Sequence, residues 1–143
     1  MRSSPTAVRM ARHEENAQAV LAWLQQCSDV SRIHYPMLPS DPGYAVASKQ
    51  MSGFGGMISV VFDLPLDRAE RFVASTKIFT LAESLGGVES LIELPASMTH
   101  ASVPPEIRKE LGCEDGLVRL SVGIEAAEDI VEDLAQALKT AKA

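Results

Sequence analysis

At 143 residues, with 46% apolar and 22% charged residues, the chain is long enough for one domain with a real core, too short for two large ones, and ordinary for a globular protein. Thirteen Lys and Arg against nineteen Asp and Glu leave a net charge of -6, which argues against a general attraction to nucleic acid. Cys27 and Cys113 lie far apart without CxxC spacing and the three histidines are scattered, so a structural zinc site is not supported. No apolar run is long enough for a signal peptide or a membrane span, and a cytoplasmic, reducing environment is expected. Arg2, Ser3, Ser4, Arg9 and Arg12 have the flavour of a transit peptide, but His13, Glu14 and Glu15 break its acid-poor pattern.

From Val8 to about Gln26, Ala11, Ala17, Val20, Leu21 and Leu24 recur at helical spacing, while Arg12, Glu14, Glu15 and Gln25 fall mainly elsewhere; this predicts an amphipathic helix. "VSRIHY" (30–35) has the β-branched and aromatic character of a short strand, closed by Pro36. "YPMLPSDPGYA" carries three prolines and a glycine, which predicts an extended, turn-rich connection. After "SGFGG", the run "MISVVFDL" (57–64) reads as a buried strand. "PLDRAERFVAST" then reads as a helix with Pro65 near its start and Ala69, Phe72 and Val73 inward.

"KIFTLA" and "ESLIEL" predict two strands on either side of a glycine turn, and "PPEIRKELG" a short helix. In "DGLVRLSVGIE", Asp115-Gly116 signals a turn, and Leu117, Val118, Leu120 and Val122 form a strand with Arg119 in its middle. "AAEDIVEDLAQALK" repeats Ala127, Ile130, Val131, Leu134 and Leu138 at helical spacing, with acids early and lysine late to suit the helix dipole. No internal repeat or low-complexity tract interrupts the pattern, which is that of an α+β domain whose short strands form one sheet.

The stretch "LAESLGGVESLIELPASMTH" (81–100) places Glu83 and Ser84 before Gly86 and Gly87, and Glu89 and Ser90 after them. Small hydroxyls and carboxylates beside glycine-freed backbone are one way to meet a small polar ligand. Arg119 has two readings. It is a surface arginine, paired with Glu89 or Glu125, or it is a bidentate clamp for a carboxylate, whose two oxygens match its planar fork. Ser84 is either a donor to the same anion or a turn former. Lys77 is a solvated strand end or a Schiff-base lysine. Thr99-His100 is an acid/base pair or a structural contact, with no aspartate partner evident nearby. Gly55-Gly56 does not continue as a dinucleotide-binding loop.

"AESLGGVESLIELPASMTHASVPPEIRKELG", followed by "DGLVRLSVGIE" and "EDIVEDLAQAL" and preceded by "RMARHEENAQAVLAWL", closely resembles the C-terminal part of the pyridoxal-phosphate-dependent Cys/Met metabolism enzymes, among them cystathionine γ-lyase, cystathionine γ-synthase and methionine γ-lyase. The resemblance implies the small C-terminal domain of a fold-type-I enzyme, a mainly antiparallel sheet with helices covering one face. It sets a tail at residues 1–8 and a substrate-side domain at residues 9–140. By resemblance, Arg119 holds a substrate α-carboxylate and Ser84 assists it, Glu83 tunes substrate preference toward cystathionine, and Thr99 lines the substrate side of the pocket. The glycine-broken stretch then supplies a carboxylate-recognition corner.

The resemblance further implies pyridoxal phosphate as an electron sink, a cystathionine-like amino acid as substrate, and trans-sulfuration chemistry by C–S cleavage or γ-replacement. The family's cofactor-binding lysine, ring-stacking tyrosine and phosphate-binding residues belong to a large domain with no counterpart here, and Lys77 is not that lysine. Asp41 and Met37 stand where the family commonly shows histidine and glycine. The chain is therefore expected to be the C-terminal portion of a cystathionine γ-lyase-like enzyme, inactive unless another chain supplies the large domain. The alternatives are a non-catalytic amino-acid-binding or regulatory partner domain, and a remnant with an exposed apolar face. The family assembles as dimers and tetramers mainly through parts absent here, so a homo-oligomer is a weaker expectation.

Overall fold

A computed structural model describes residues 5–143; of the transit-like features, Arg2, Ser3 and Ser4 lie outside the described residues, as does the first half of the expected tail. The elements are α1 (Pro5–Gln26), β1 (Val30–His34), α2 (Tyr44–Gln50), β2 (Met57–Phe62), α3 (Leu66–Ala74), β3 (Thr80–Leu81), β4 (Leu91–Glu93), α4 (Pro105–Glu110), β5 (Leu117–Ser121) and α5 (Ala127–Lys142). The strands form one sheet in the order β1-β2-β5-β4-β3, antiparallel except for the parallel β3/β4 pair. This is the expected α+β architecture.

Alternation along the strands divides the sheet into two unlike faces. Ile58, Val60 and Phe62 of β2, Ile92 of β4 and Val118 and Leu120 of β5 enter the core. There they meet Ala17, Val20, Leu21 and Leu24 of α1, Phe72 and Val73 of α3, and Ile130, Leu134 and Leu138 of α5. Each of these side chains removed from water contributes roughly 1.5–3 kcal/mol for the larger apolar residues. The opposite face carries Met57, Ser59, Arg119, Ser121 and Glu93, so the polar residues of the sheet collect away from the three long helices.

Several elements depart from their sequence signals for identifiable reasons. Helix α1 begins at Pro5, ahead of Val8, and its buried stripe includes His13 and Asn16, whereas Ala11 is exposed. The two polar residues are accepted inside because His13 Nδ1 donates to Val122 O (2.6 Å) and Asn16 Nδ2 to Gly123 O (2.9 Å) and Glu125 O (2.8 Å); hydrogen bonding offsets their desolvation. The proline-rich connection does hold its turns, but it runs on into α2. Asp41 Oδ1 accepts from Gly43 N (2.8 Å) and sets a turn just before that helix.

The expected strand "KIFTLA" shrinks to Thr80–Leu81. The backbone N–H groups of Lys77, Ile78 and Phe79 donate instead to the buried Asp133 carboxylate on α5, at 2.7, 2.8 and 3.0 Å. A segment whose donors are spent on a side chain cannot extend a ladder. Because β3 and β4 run parallel, residues 82–90 are a crossover between neighbouring strands and not a hairpin turn. Such a connection is short for a parallel pair, and only the two-residue length of β3 at the sheet edge allows it.

Replacing Asp133 with Ala should leave three N–H groups unpaired and cost about 2–4 kcal/mol, read as a lower urea midpoint at unchanged slope; an unchanged midpoint would refute the anchoring role. Tyr35 is fully buried with its hydroxyl donating to Gly55 O (2.7 Å). Burial, and then the nearby Glu14 charge, push its pKa from 10.0 up to about 12. The unfolded chain therefore loses this proton first, and stability present below pH 10 is lost as the pH rises toward 12, by on the order of 2 kcal/mol. Alkaline melting curves should show that loss, and Tyr35→Phe should flatten it while giving up about 1 kcal/mol at neutral pH.

Candidate functional site

The site is built on the sheet face turned away from α1, α3 and α5. In the β4/β5 register Glu93 lies directly opposite Arg119, and Leu91 opposite Ser121. Two loops cover this face in part. Gly86 N donates to Ser121 Oγ (2.9 Å), which seats the 82–90 crossover over one end of β5. Thr99 Oγ1 donates to Glu93 Oε1 (2.9 Å), which seats the turns after β4 over the other. Arg119 occupies the gap between them, its side chain 45% exposed.

Arg119 Nη1 donates to Glu93 Oε2 at 3.3 Å, and Glu93 has no exposed surface. One carboxylate oxygen thus meets the guanidinium and the other the threonine hydroxyl, which is what keeps a buried charge tolerable. Thr99 also lies 2.9 Å from His100 Nδ1. The expected partners of Arg119 are replaced: Glu125 is not paired with it but accepts Ser90 N (2.7 Å) and Ser90 Oγ (2.8 Å), and Glu89 makes no ion pair with it among the described residues. Ser90 Oγ in turn accepts from Gly123 N (2.9 Å).

Glu83 and Ser84 are exposed on the crossover. Neither makes a hydrogen bond or ion pair to Arg119 among the described residues; what joins them to it is the Gly86 anchor on Ser121, two residues along β5. The two glycines differ in kind. Gly86 has φ +90°, a conformation that disfavours side chains, whereas a Cβ on Gly87 would meet only the flexible end of Glu89. Thr99 joins the Arg119 cluster directly, through Glu93. Glu93 itself was not singled out by sequence, because one glutamate in "ESLIEL" looks like an alternating surface position; only strand register reveals that it faces Arg119. A separate cavity of about 510 Å³ is lined by Val61, Leu64, Pro65, Lys109 and Cys113, and none of the expected site residues reaches it.

A profile of the Cys/Met metabolism PLP-dependent enzymes matches residues 5–139, and the chain belongs to that family. It is 55% identical over 134 residues to a cystathionine beta-lyase of Lactococcus lactis, covering 93% of this chain and 35% of that protein. A cystathionine gamma-lyase of Dictyostelium discoideum is 50% identical over 131 residues, covering 92% and 34%. The crystal structure of cystathionine gamma synthase from Xanthomonas oryzae pv. oryzae in complex with aminoacrylate and cysteine superposes with a TM-score of 0.86 at 46% identity, over 95% of this chain and 35% of that one. The chain spans about a third of the length of the relatives it matches.

The residues described here do not make a holder for pyridoxal phosphate. A Schiff-base lysine wants a desolvated setting, yet Lys49, Lys77, Lys109, Lys139 and Lys142, all the lysines of the sequence, are exposed. Lys77 shares a shallow pocket with Asp129, Glu132 and Asp133 on the α5 side of the sheet, where carboxylates would repel a phosphate. What the site offers is a guanidinium with most of its donors unengaged, suited to a carboxylate.

The crossover geometry predicts unequal costs for its glycines. Gly86→Ala should lose about 1–2 kcal/mol because φ is positive there, and Gly87→Ala clearly less; thermal melts of the two variants compare them, and equal losses would show that the Gly86 conformation is not the constraint.

Proposed function

We propose that this chain is the substrate-side part of a pyridoxal-phosphate-dependent enzyme that cleaves or exchanges the C–S bond of cystathionine-like amino acids, and that residues 9–140 form that domain, with α1 extending it to Pro5. The observation that supports the reading best is Arg119, half-exposed on the sheet face clear of the long helices and using one Nη1 donor on Glu93. Its remaining fork is open to a second carboxylate, and binding an amino acid through that group orients the atoms to be broken. The likeness to cystathionine lyases and a cystathionine gamma synthase supports the substrate class.

In this reading Ser84 assists Arg119, Glu83 biases side-chain preference, and Thr99 lines the pocket. Pyridoxal phosphate supplies the electron sink, and the lysine that holds it belongs to the portion of the relatives outside the match, on the same chain or on a partner. Cytoplasmic operation agrees with two unpaired cysteines, Cys27 and Cys113. Among the described residues no helix is long and apolar enough to cross a membrane.

A chimera carrying this chain in place of the C-terminal third of the Lactococcus lactis relative should release thiol from cystathionine. Arg119→Ala should lower kcat/KM about 10²–10³-fold, in keeping with a lost charge-assisted carboxylate contact; a folded chimera indifferent to that change would overturn the assignment. The chain alone, treated with pyridoxal phosphate and borohydride, should yield no saturable lysine adduct by mass analysis. A single saturable adduct would place the cofactor lysine within this sequence.

A further inference from the structure

Glu93 is the one carboxylate of the sheet with no exposure, and both its oxygens are engaged: Oε2 by Arg119 Nη1 (3.3 Å) and Oε1 by Thr99 Oγ1 (2.9 Å). A carboxylate in an ion pair is an acceptor only, so the Thr99 hydroxyl must spend its single proton on it. Thr99 Oγ1 also lies 2.9 Å from His100 Nδ1. With its proton spent, the hydroxyl can only accept there, and the hydrogen must come from the imidazole. Every donor in the chain therefore points one way: His100 Nδ1–H to Thr99, Thr99 O–H to Glu93, with Arg119 N–H meeting Glu93 from the other side.

We propose that Glu93 is a positioning residue that holds the Arg119 guanidinium in its carboxylate-receiving orientation, and that Thr99 and His100 hold Glu93 in turn. The proposal rests on the carboxylate role assigned to Arg119 above. Geometry makes the arrangement specific. Glu93 and Arg119 are directly opposed across two antiparallel strands, so the acid's position is set by the sheet, whereas the arginine is 45% exposed and long and would otherwise sample many rotamers. A monodentate contact pins one end of the guanidinium and leaves its other edge for a ligand. The counter-charge weakens the attraction for a second carboxylate; in exchange the fork is ordered before the ligand arrives, which lowers the entropy lost on binding.

The reading makes a demand on tautomers that simple packing does not. In Glu93→Gln the amide oxygen must face the Arg119 donor, so its NH2 must face Thr99. Thr99 then accepts from the amide, and its released proton is free to go to His100 Nδ1, which favours moving the imidazole proton to Nε2.

The test is NMR on the full 143-residue chain labelled with ¹⁵N, at alkaline pH, with the tautomer read from the two ring nitrogens and L-serine as the amino-acid probe. In the wild type, His100 should be the Nδ1–H tautomer and the Arg119 Nη groups should be resolved by restricted rotation. Glu93→Gln should shift His100 toward Nε2–H, because the Thr99 proton no longer has a carboxylate to meet. Glu93→Ala should average the Arg119 signals and weaken L-serine about tenfold, with Glu93→Asp recovering part of both effects. Should the Ala variant not fold, Thr99→Val keeps the ion pair but frees one Glu93 oxygen, so it should release His100 and partly loosen Arg119. Arg119 signals as restricted as in the wild type would overturn the supporting role of Thr99. A wild-type Nε2–H tautomer, or Arg119 signals unchanged by loss of Glu93, overturns the proposal. If the tautomer and Arg119 signals respond as stated but Arg119→Ala binds L-serine as the wild type does, Glu93 still positions Arg119 and it is the carboxylate role of Arg119 that fails.

Discussion

The buried Glu93 carboxylate is the constraint on which the polar face of this domain turns. A charge without solvent must find its counter-charge and hydrogen-bond donors in place, and removing one partner from such a pair typically costs several kcal/mol. For Glu93 the partners are Arg119 across the strand pair and Thr99 from the following turns. A one-residue slip of β4 against β5 would turn Glu93 to the core side, opposite Val118 or Leu120, and leave Arg119 alone on the other face. The register that keeps Val118, Leu120 and Ile92 in the core is therefore the register that assembles the site.

A second buried carboxylate does comparable service on the other side of the sheet. Asp133 gathers three consecutive N–H groups of residues 77–79, ties the end of α3 to α5 and shortens β3 to two residues. That brevity permits the parallel crossover, and the crossover carries Glu83 and Ser84 over the face where Arg119 lies. Glu125, Ser90 and Gly123 lock its far end. Two acids that read as ordinary helix or loop charges thus decide where the glycine-broken segment runs.

The division of labour between the two faces bears on function. Helices α1, α3 and α5 pack against the apolar face, so their cores serve stability. The other face is partly covered by the 82–90 crossover and the turns after β4, with α4 beside Val61, which leaves a gap at Arg119. Functional groups often sit on loops carried by a rigid scaffold, and here the scaffold also contributes the arginine. The carboxylate role proposed for Arg119 would suit relatives named for differing reactions, β-lyase, γ-lyase and γ-synthase, because an anchor orients a substrate without choosing which bond breaks.

Local signals were enough to read α1, β1, β2, α3, β5 and α5 to within a few residues, since helical and alternating periodicity record which side of an element meets the core. They also marked Arg119 as an anomaly, a charge inside "LVRLSV", and the ordered motifs around it carried the family. Helix α2 escaped because "YAVASKQ" buries only Ala47 and so has no apolar stripe to read. The loss of the strand at "KIF" and the burial of His13 and Asn16 depend on partners 50 to 110 residues away, and the parallel sense of β3 and β4 is a matter of how the shortened strand docks beside its neighbour. The choice of Glu93 over Glu89 or Glu125 as the partner of Arg119 is of the same kind. Residue type and spacing determine what a side chain is able to bind; only the closed sheet, through register and burial, decides which of several identical carboxylates is brought to it.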